Sequence, residues 1–225
     1  MKFRKYGITV SRLKECDIEL VRKWRNDPVV VKNYEFREYI TPEMQKAWFM
    51  SISNANNLYT VIEYQGEKIG VINIKNIDWE KREGEGGIFI PDPKYHLTAL
   101  PAILSFMTTE IQFSIFKWNI GFASVLKENT AIQNFIRSLG FEICQGEEEK
   151  SNQRYFNTRE NFEKKAGKIK KAISIVSNND ESLVCIIEPF DFDDPIVMQW
   201  EAEMLKNVTP FRTETTAEGR FYYLS

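Results

Sequence analysis

The stretch GEGGIFIPDPKYHLTALP, residues 84–101, decides how the chain folds. Residues 84–90 read as a strand that ends at Pro91-Asp92-Pro93, because proline fixes φ and removes a ladder donor. A loop follows to about Leu100. Pro101 then opens a helix whose apolar residues Ile103, Leu104, Phe106, Met107, Ile111, Phe113 and Phe116 lie nearly all round it. A helix apolar on every side belongs in a core.

Downstream, residues 120–126 (IGFASVL) read as a strand. Asn129 caps a helix bearing Ala131, Ile132, Phe135, Ile136 and Leu139, and Gly140-Phe141 closes it. Residues 153–157 give a further strand. Upstream, residues 58–64 and 69–75 are β-rich runs joined by a turn at Gln65-Gly66-Glu67. Residues 8–14 read as the first strand. Asp17 caps a helix to about Asn26 with Ile18, Leu20, Val21 and Trp24 on its apolar face. Thr41 as N-cap and Pro42 at N1 open the next helix, on which Trp48 and Phe49 are expected to be buried.

At residues 160–171 the composition turns charged and reads as a linker. Beyond it the pattern gives a strand at 172–177, a turn at Asn178-Asn179-Asp180, a strand at 182–188, a helix at 195–207 and a strand at 220–224. The expected division is a main domain over residues 1–165 and a small C-terminal ββαβ unit over 168–225, too small to stand alone and therefore docked on the main body.

The 225 residues carry 30 Lys+Arg against 32 Asp+Glu, a net charge of −2. That balance excludes a strong chain-wide affinity for nucleic acid or an anionic membrane. With 43% apolar and 28% charged residues the composition is that of a globular protein. No apolar run approaches the roughly 18 residues a membrane span needs. No leader is evident, and three scattered cysteines (Cys16, Cys144, Cys185) fit a reducing cytoplasm. One histidine excludes a multi-histidine metal site, so no metal is expected.

Other clusters have plain readings. Gly84-Glu85-Gly86-Gly87 precedes a strand and is neither a Walker loop nor a dinucleotide fingerprint. Glu147-Glu148-Glu149 is a solvated charge run. Asp191, Asp193 and Asp194 lack the spacing of a calcium loop and lead into a helix at Pro195. Lys164, Lys165, Lys168, Lys170 and Lys171 belong to the solvated linker.

The order β-α-α-β-β-β-loop-α-β-α-β carries Trp24-Arg25-Asn26-Asp27-Pro28, Ile40-Thr41-Pro42-Glu43, Trp48-Phe49, Gly70, Ile88-Phe89-Ile90, Asp92-Pro93, Tyr95 and Asn129…Leu139-Gly140-Phe141. In that order these segments resemble the GNAT acetyltransferases over residues 8–160. The nearest branch is that of ribosomal-protein N-terminal and amino-sugar-nucleotide acetyltransferases. The resemblance implies an α/β (α+β) fold, with a mixed, mostly antiparallel sheet covered by helices on both faces. It implies direct acetyl transfer from acetyl-CoA to a primary amine of a small molecule or peptide, in a cytoplasmic protein that could form a homodimer. The alternative is a catalytically degenerate binding module of the same shape.

The resemblance also places a site. Acetyl-CoA inserts its arm between two splayed central strands, and its pyrophosphate rests on loop amides at the next helix N-terminus. The family loop is [Gln/Arg]-x-x-Gly-x-[Gly/Ala]. Here it is His96-Leu97-Thr98-Ala99-Leu100-Pro101, which departs at all three motif positions. Ala99 resists the positive φ open to glycine, and Pro101 offers no N–H. The amides of Thr98, Ala99, Leu100 and Ala102 are expected to remain available. Phe89 and Ile90 would contact the cofactor and polarise its carbonyl through their amides, and Phe135 would line it. Asn129 is either a cofactor contact, a helix N-cap, or both. Ile136 stands where many relatives carry a tyrosine acid. Glu85 is the first candidate base, with Glu83 and Asp78 behind it; its other reading is a solvated strand-edge carboxylate. Tyr34, Phe36, Arg37 and Tyr39 would wall the acceptor side or simply pack.

Overall fold

The computed structural model describes residues 1–31, 36–177 and 182–224. The strands are β1 (Lys2–Lys5), β2 (Ile8–Arg12), β3 (Leu58–Tyr64), β4 (Glu67–Asp78), β5 (Glu83–Phe89), β6 (Ile120–Leu126), β7 (Glu142–Ile143), β8 (Asn152–Thr158), β9 (Val184–Ile187), β10 (Arg212–Thr216) and β11 (Gly219–Tyr223). They form one sheet in the order β10-β11-β9-β1-β2-β3-β4-β5-β6-β8-β7. Neighbours run antiparallel except β5 and β6, which are parallel. The helices are α1 (Ile18–Arg25), α2 (Pro28–Val31), α3 (Pro42–Ile52), α4 (Leu100–Glu110), α5 (Thr130–Ser138), α6 (Arg159–Ser177) and α7 (Pro195–Asn207).

The sheet buries both faces, and β3 shows why its sequence is apolar nearly throughout. Leu58 and Ile62 join the large core with α4, α6 and α7, whereas Val61 joins a smaller core with Leu13, Val21 and Val71 beneath α1 and α3. The fold is the mixed, mostly antiparallel α+β architecture read from the sequence. Gln65 and Gly66 take φ of 52° and 81° between β3 and β4, as a two-residue hairpin requires.

Helix α4 is buried on most sides, as its composition requires, and passes into a π-helical turn at Ile111–Ile115. It also carries a carboxylate into the core. Glu110 accepts from Lys5 Nζ at 2.8 and 2.9 Å, and both side chains are buried.

Several expectations are corrected. The linker at 160–171 and the strand at 172–177 are one helix, α6. Phe162, Ala166, Ile169 and Ile173 recur at helical spacing and pack on the core, while Lys164, Lys165, Lys168 and Lys171 are exposed and Lys170 turns in to Glu110 at 3.8 Å. Phe162 stacks on Phe113 at 5.4 Å and lies 5.8 Å from Phe106. The expected boundary at 165–168 therefore falls inside a helix. The C-terminal order begins with β9, then α7, β10 and β11, and β9 pairs directly with β1. The expected turn at residues 178–180 lies outside the described residues. Strand β1 precedes the strand taken as first. Asp17 does not cap α1 with its side chain; its carboxylate accepts from Lys14 N and Lys68 Nζ. Trp48 and Phe49 are half-buried.

Thr41 and Asn129 cap their helices as the sequence indicates, accepting from Met44 and Ile132, and Asp194 caps α7, accepting from Ile196.

Candidate active site

Strands β5 and β6 pair only over Glu83↔Ile120, Gly84↔Gly121, Glu85↔Phe122 and Gly86↔Ala123. β5 continues to Phe89 on β4, and β6 continues to Leu126 on β8. Beyond Gly86 and Ala123 no further β5–β6 pair forms among the described residues. The two strands thus part, with only β8 and β7 beyond β6 in the sheet, and Gly87, Ile88, Phe89 and Ile90 on one side of the gap are all partly exposed.

The end of β5 is held in place by the absence of a side chain opposite. A Cβ on Gly70 would lie 2.2 Å from the Phe89 carbonyl oxygen. Only glycine at 70 lets the backbone of Phe89 and Ile90 approach β4 so closely.

Glu85 sits one residue before the parting, on the sheet face that carries α1 and α3. Its Oε1 meets Lys75 Nζ at 3.2 Å and accepts from Ser124 Oγ at 3.0 Å. Among the described residues Oε2 accepts no hydrogen bond. Tyr59 of β3 lies on the same face, its ring 5.2 Å from that of Trp48. Burial pushes the Tyr59 hydroxyl above its ordinary value; Arg25 opposes the shift and Glu85 adds to it. Glu83 and Asp78 pair with each other at the closed end of the β4–β5 hairpin, away from the parting. The Lys81 backbone amide and ammonium hold the Asp78 carboxyl below its usual range.

The loop between β5 and α4 is tied by its own side chains. Asp92 accepts from Lys94 N at 2.9 Å, and His96 Nε2 lies 2.8 Å from the Ile90 carbonyl. That contact makes Nε2 the donor, since a carbonyl only accepts. Two of the four amides expected to be available are engaged. Thr98 N donates to the Tyr95 carbonyl and Leu100 N to Thr98 Oγ1. Among the described residues, the amides of Ala99 and Ala102 have no acceptor. Ala99 is in ordinary helical conformation with φ of −70°, so the conflict expected from its Cβ does not arise. Leu97 is 99% exposed, and Leu100 is buried in the core.

Across the gap Asn129 is exposed and its Oδ1 accepts from Ile132 N at 3.2 Å. Phe135 is partly buried against the large core, and Ile136 faces into it. Phe36, Arg37 and Tyr39 are exposed, and the Tyr39 hydroxyl accepts from Arg22; Tyr34 lies outside the described residues. The structure therefore brings Glu85, Phe89, Ile90, His96 and the 97–100 loop to the β5 arm of the gap, with Asn129 and Phe135 on the segment that follows β6. Lys75, Ser124 and Tyr59 were not anticipated. The pairing of Lys75 with Glu85 could not be read from the sequence, because the Gln65-Gly66 hairpin fixes the register of β3 and β4 but not that of β5.

The sequence matches the model of the Acetyltransferase (GNAT) domain over residues 8–142. Among solved structures it is similar to spermidine N-acetyltransferase from Vibrio cholerae in complex with CoA and spermine, with 17% identity, a TM-score of 0.61, and coverage of 69% of this chain and 98% of that one. A dodecameric structure of the same Vibrio cholerae enzyme is 16% identical, with a TM-score of 0.58 over 69% of this chain and 96% of that one. A domain from Methanocaldococcus jannaschii DSM 2661 is 20% identical, with a TM-score of 0.58 over 67% and 97%. No curated protein matches the sequence closely enough to serve as a relative. No helix among the described residues is long and apolar enough to cross a membrane.

Proposed function

The chain belongs to the GNAT acetyltransferase family, and from that premise we propose that it transfers the acetyl group of acetyl-CoA to the primary amine of an amino-sugar nucleotide or a peptide N-terminus. One observation carries the reading: β5 and β6 part after Gly86 and Ala123, with Glu85 directly beside the parting.

The residues present fit the cofactor. Neither Leu97, which points to solvent, nor Leu100, which lies in the core, fills the gap. The C-terminal strands lie at the other end of the sheet, and α7 packs through Trp200 on Trp79 at the closed end of the β4–β5 hairpin. Phe89 and Ile90 offer backbone along one arm of the gap. The amides of Ala99 and Ala102, at the start of α4, suit an anion. When bound, acetyl-CoA supplies an acetyl group activated as a thioester.

Glu85 then has a defined task. An acceptor ammonium must lose a proton before its nitrogen lone pair reaches the acetyl carbon. Oε2, which accepts no hydrogen bond, takes that proton while Lys75 and Ser124 hold Oε1 in place. The C–N bond forms as the C–S bond breaks, and the sulfur electron pair leaves with CoA and takes a proton from water. No side-chain acid is needed at Ile136, and the transfer is direct, with no acyl-enzyme on a cysteine. Rate enhancement rests chiefly on holding amine and thioester together.

A second reading, a binding module without chemistry, draws on the loop: Thr98 N and Leu100 N are engaged and Pro101 has no N–H. Isothermal titration with acetyl-CoA and with CoA separates the two. Micromolar binding, followed by product formation in an amine screen, sustains acetyl transfer. No binding at millimolar cofactor leaves only the module.

A further inference from the structure

The π-helical turn at Ile111–Ile115 inserts an extra residue in the core helix and puts Gln112 beneath the parallel strands. π-turns distort helical hydrogen bonding and concentrate at functional sites. Here the turn sets the Gln112 amide against two glycines. A Cβ on Gly86 would lie 3.1 Å from Gln112 Nε2, and a Cβ on Gly121 would lie 3.0 Å from Oε1. Any side chain at either position would displace the amide. Gly86 is the last β5 residue paired to β6 and Gly121 pairs with Gly84, so the amide lies beneath the last pairs before the gap, on the α4 side.

Gln112 is only 2% exposed, and its Nε2 has no hydrogen-bond partner. A buried, unpaired amide donor is costly, about 1–3 kcal/mol, and uncommon. A leucine or methionine would fill the same volume without that cost. The donor thus stands unused beneath the last pair before the strands open, one pair away from the register of Glu85, which lies on the opposite face.

We propose that Gln112 is a catalytic residue whose Nε2 donates to the acetyl carbonyl oxygen of bound acetyl-CoA. The inference rests on the acetyl-transfer reading and deepens it. Negative charge gathers on that oxygen as the amine attacks, and a fixed donor in a water-poor site stabilises such charge more than it stabilises the ground state. Glu85 and Gln112 then address the reaction from the two faces of the sheet, one removing the proton and one holding the oxygen.

The test compares wild type with Gln112→Met by thermal melting, by calorimetric affinity for acetyl-CoA and for CoA, and by kcat and KM. The expected variant melts at the wild-type temperature or above it. It binds CoA as before, loses the preference for acetyl-CoA over CoA, and loses about 10- to 100-fold in kcat. A folded variant with unchanged preference and unchanged kcat overturns the role and leaves Gln112 as packing. Should Gln112→Met not fold, Gln112→Asn, which withdraws the amide by one methylene, is read the same way. A wild type that binds neither ligand overturns the acetyl-transfer reading itself, and Gln112 with it.

Discussion

Lys75 and Glu85 are direct cross-strand partners on β4 and β5, and the Lys75 ammonium lies 3.2 Å from Glu85 Oε1. A carboxylate tethered at one oxygen keeps a fixed orientation for the other. Glu85→Gln keeps the shape and removes the proton acceptor. Turnover with an amine acceptor is expected to fall about 10²- to 10⁴-fold. The melting temperature should barely move, because a partly exposed pair contributes about 0–1 kcal/mol. Steady-state kinetics beside thermal melting checks both halves. An unchanged kcat would return Glu85 to the role of a strand-edge carboxylate.

Gly70→Ala tests how the end of β5 is set. The added methyl would meet the Phe89 carbonyl at 2.2 Å, and backbone cannot step aside as a side-chain tip can. The expected cost is about 1–3 kcal/mol in denaturant unfolding. Acetyl-CoA affinity should fall with it, since Phe89 and Ile90 form one arm of the gap. A variant of native stability and affinity would show that the close approach is dispensable.

Much of this architecture is written in local chemistry. The 58–64 run, the Gln65-Gly66 hairpin, the helix opened by Thr41 and the helix over 195–207 all stand where turn and cap residues put them. The 160–171 segment was misleading because its charges dominate its composition, whereas the spacing of Phe162, Ala166, Ile169 and Ile173 held the helical signal. Short strands such as β1, β7 and β10 carry too few residues for alternation to show. In the candidate site, Glu85 was legible as a candidate from the resemblance and its place on a strand. Lys75, Ser124 and Gln112 were not, since they meet it or its strand only through sheet register and a π-turn, neither of which composition encodes.

Asn129 has two duties that a pair of substitutions separates. Its Oδ1 accepts from Ile132 N and so caps α5. Asn129→Ala should cost about 1 kcal/mol, whereas Asn129→Ser keeps a capping oxygen and most of that stability. Both lose the side-chain amide, so acetyl-CoA affinity is expected to fall in both. Calorimetry on the serine variant is decisive: native affinity there would make Asn129 a cap and nothing more.

The acid side of the stability profile should involve Asp194. Burial pushes its carboxyl up, but Arg12 Nη1 at 2.5 Å and the amides of Ile196 and Val197 outweigh burial and leave it below the ordinary value of 3.8. In that window the unfolded chain binds more protons than the native one, so stability rises with pH. The contribution is complete above 3.8 and is lost as pH falls through the native value. Asp194→Asn keeps a helix cap and removes the charge. Urea unfolding followed from neutral pH to about pH 3 should fall less steeply for this variant than for wild type. Parallel profiles would mean that Asp194 titrates alike in both states.

Pro101 is the loop residue with most to tell about cofactor binding. It stands in the first turn of α4, where proline is tolerated because the first amides lack helical partners anyway. Those unpartnered amides are what a pyrophosphate would use, and with Thr98 N and Leu100 N engaged the loop is short of donors. Pro101→Ala restores one N–H without disturbing the helix. One hydrogen bond to a charged acceptor is about 1.5–3 kcal/mol, so acetyl-CoA should bind about 10- to 100-fold more tightly. Ala99→Gly is the control: with φ at −70° the alanine is unstrained, and glycine there should bring no gain. If Pro101→Ala leaves the calorimetric affinity unchanged, the phosphates do not lie on the start of α4.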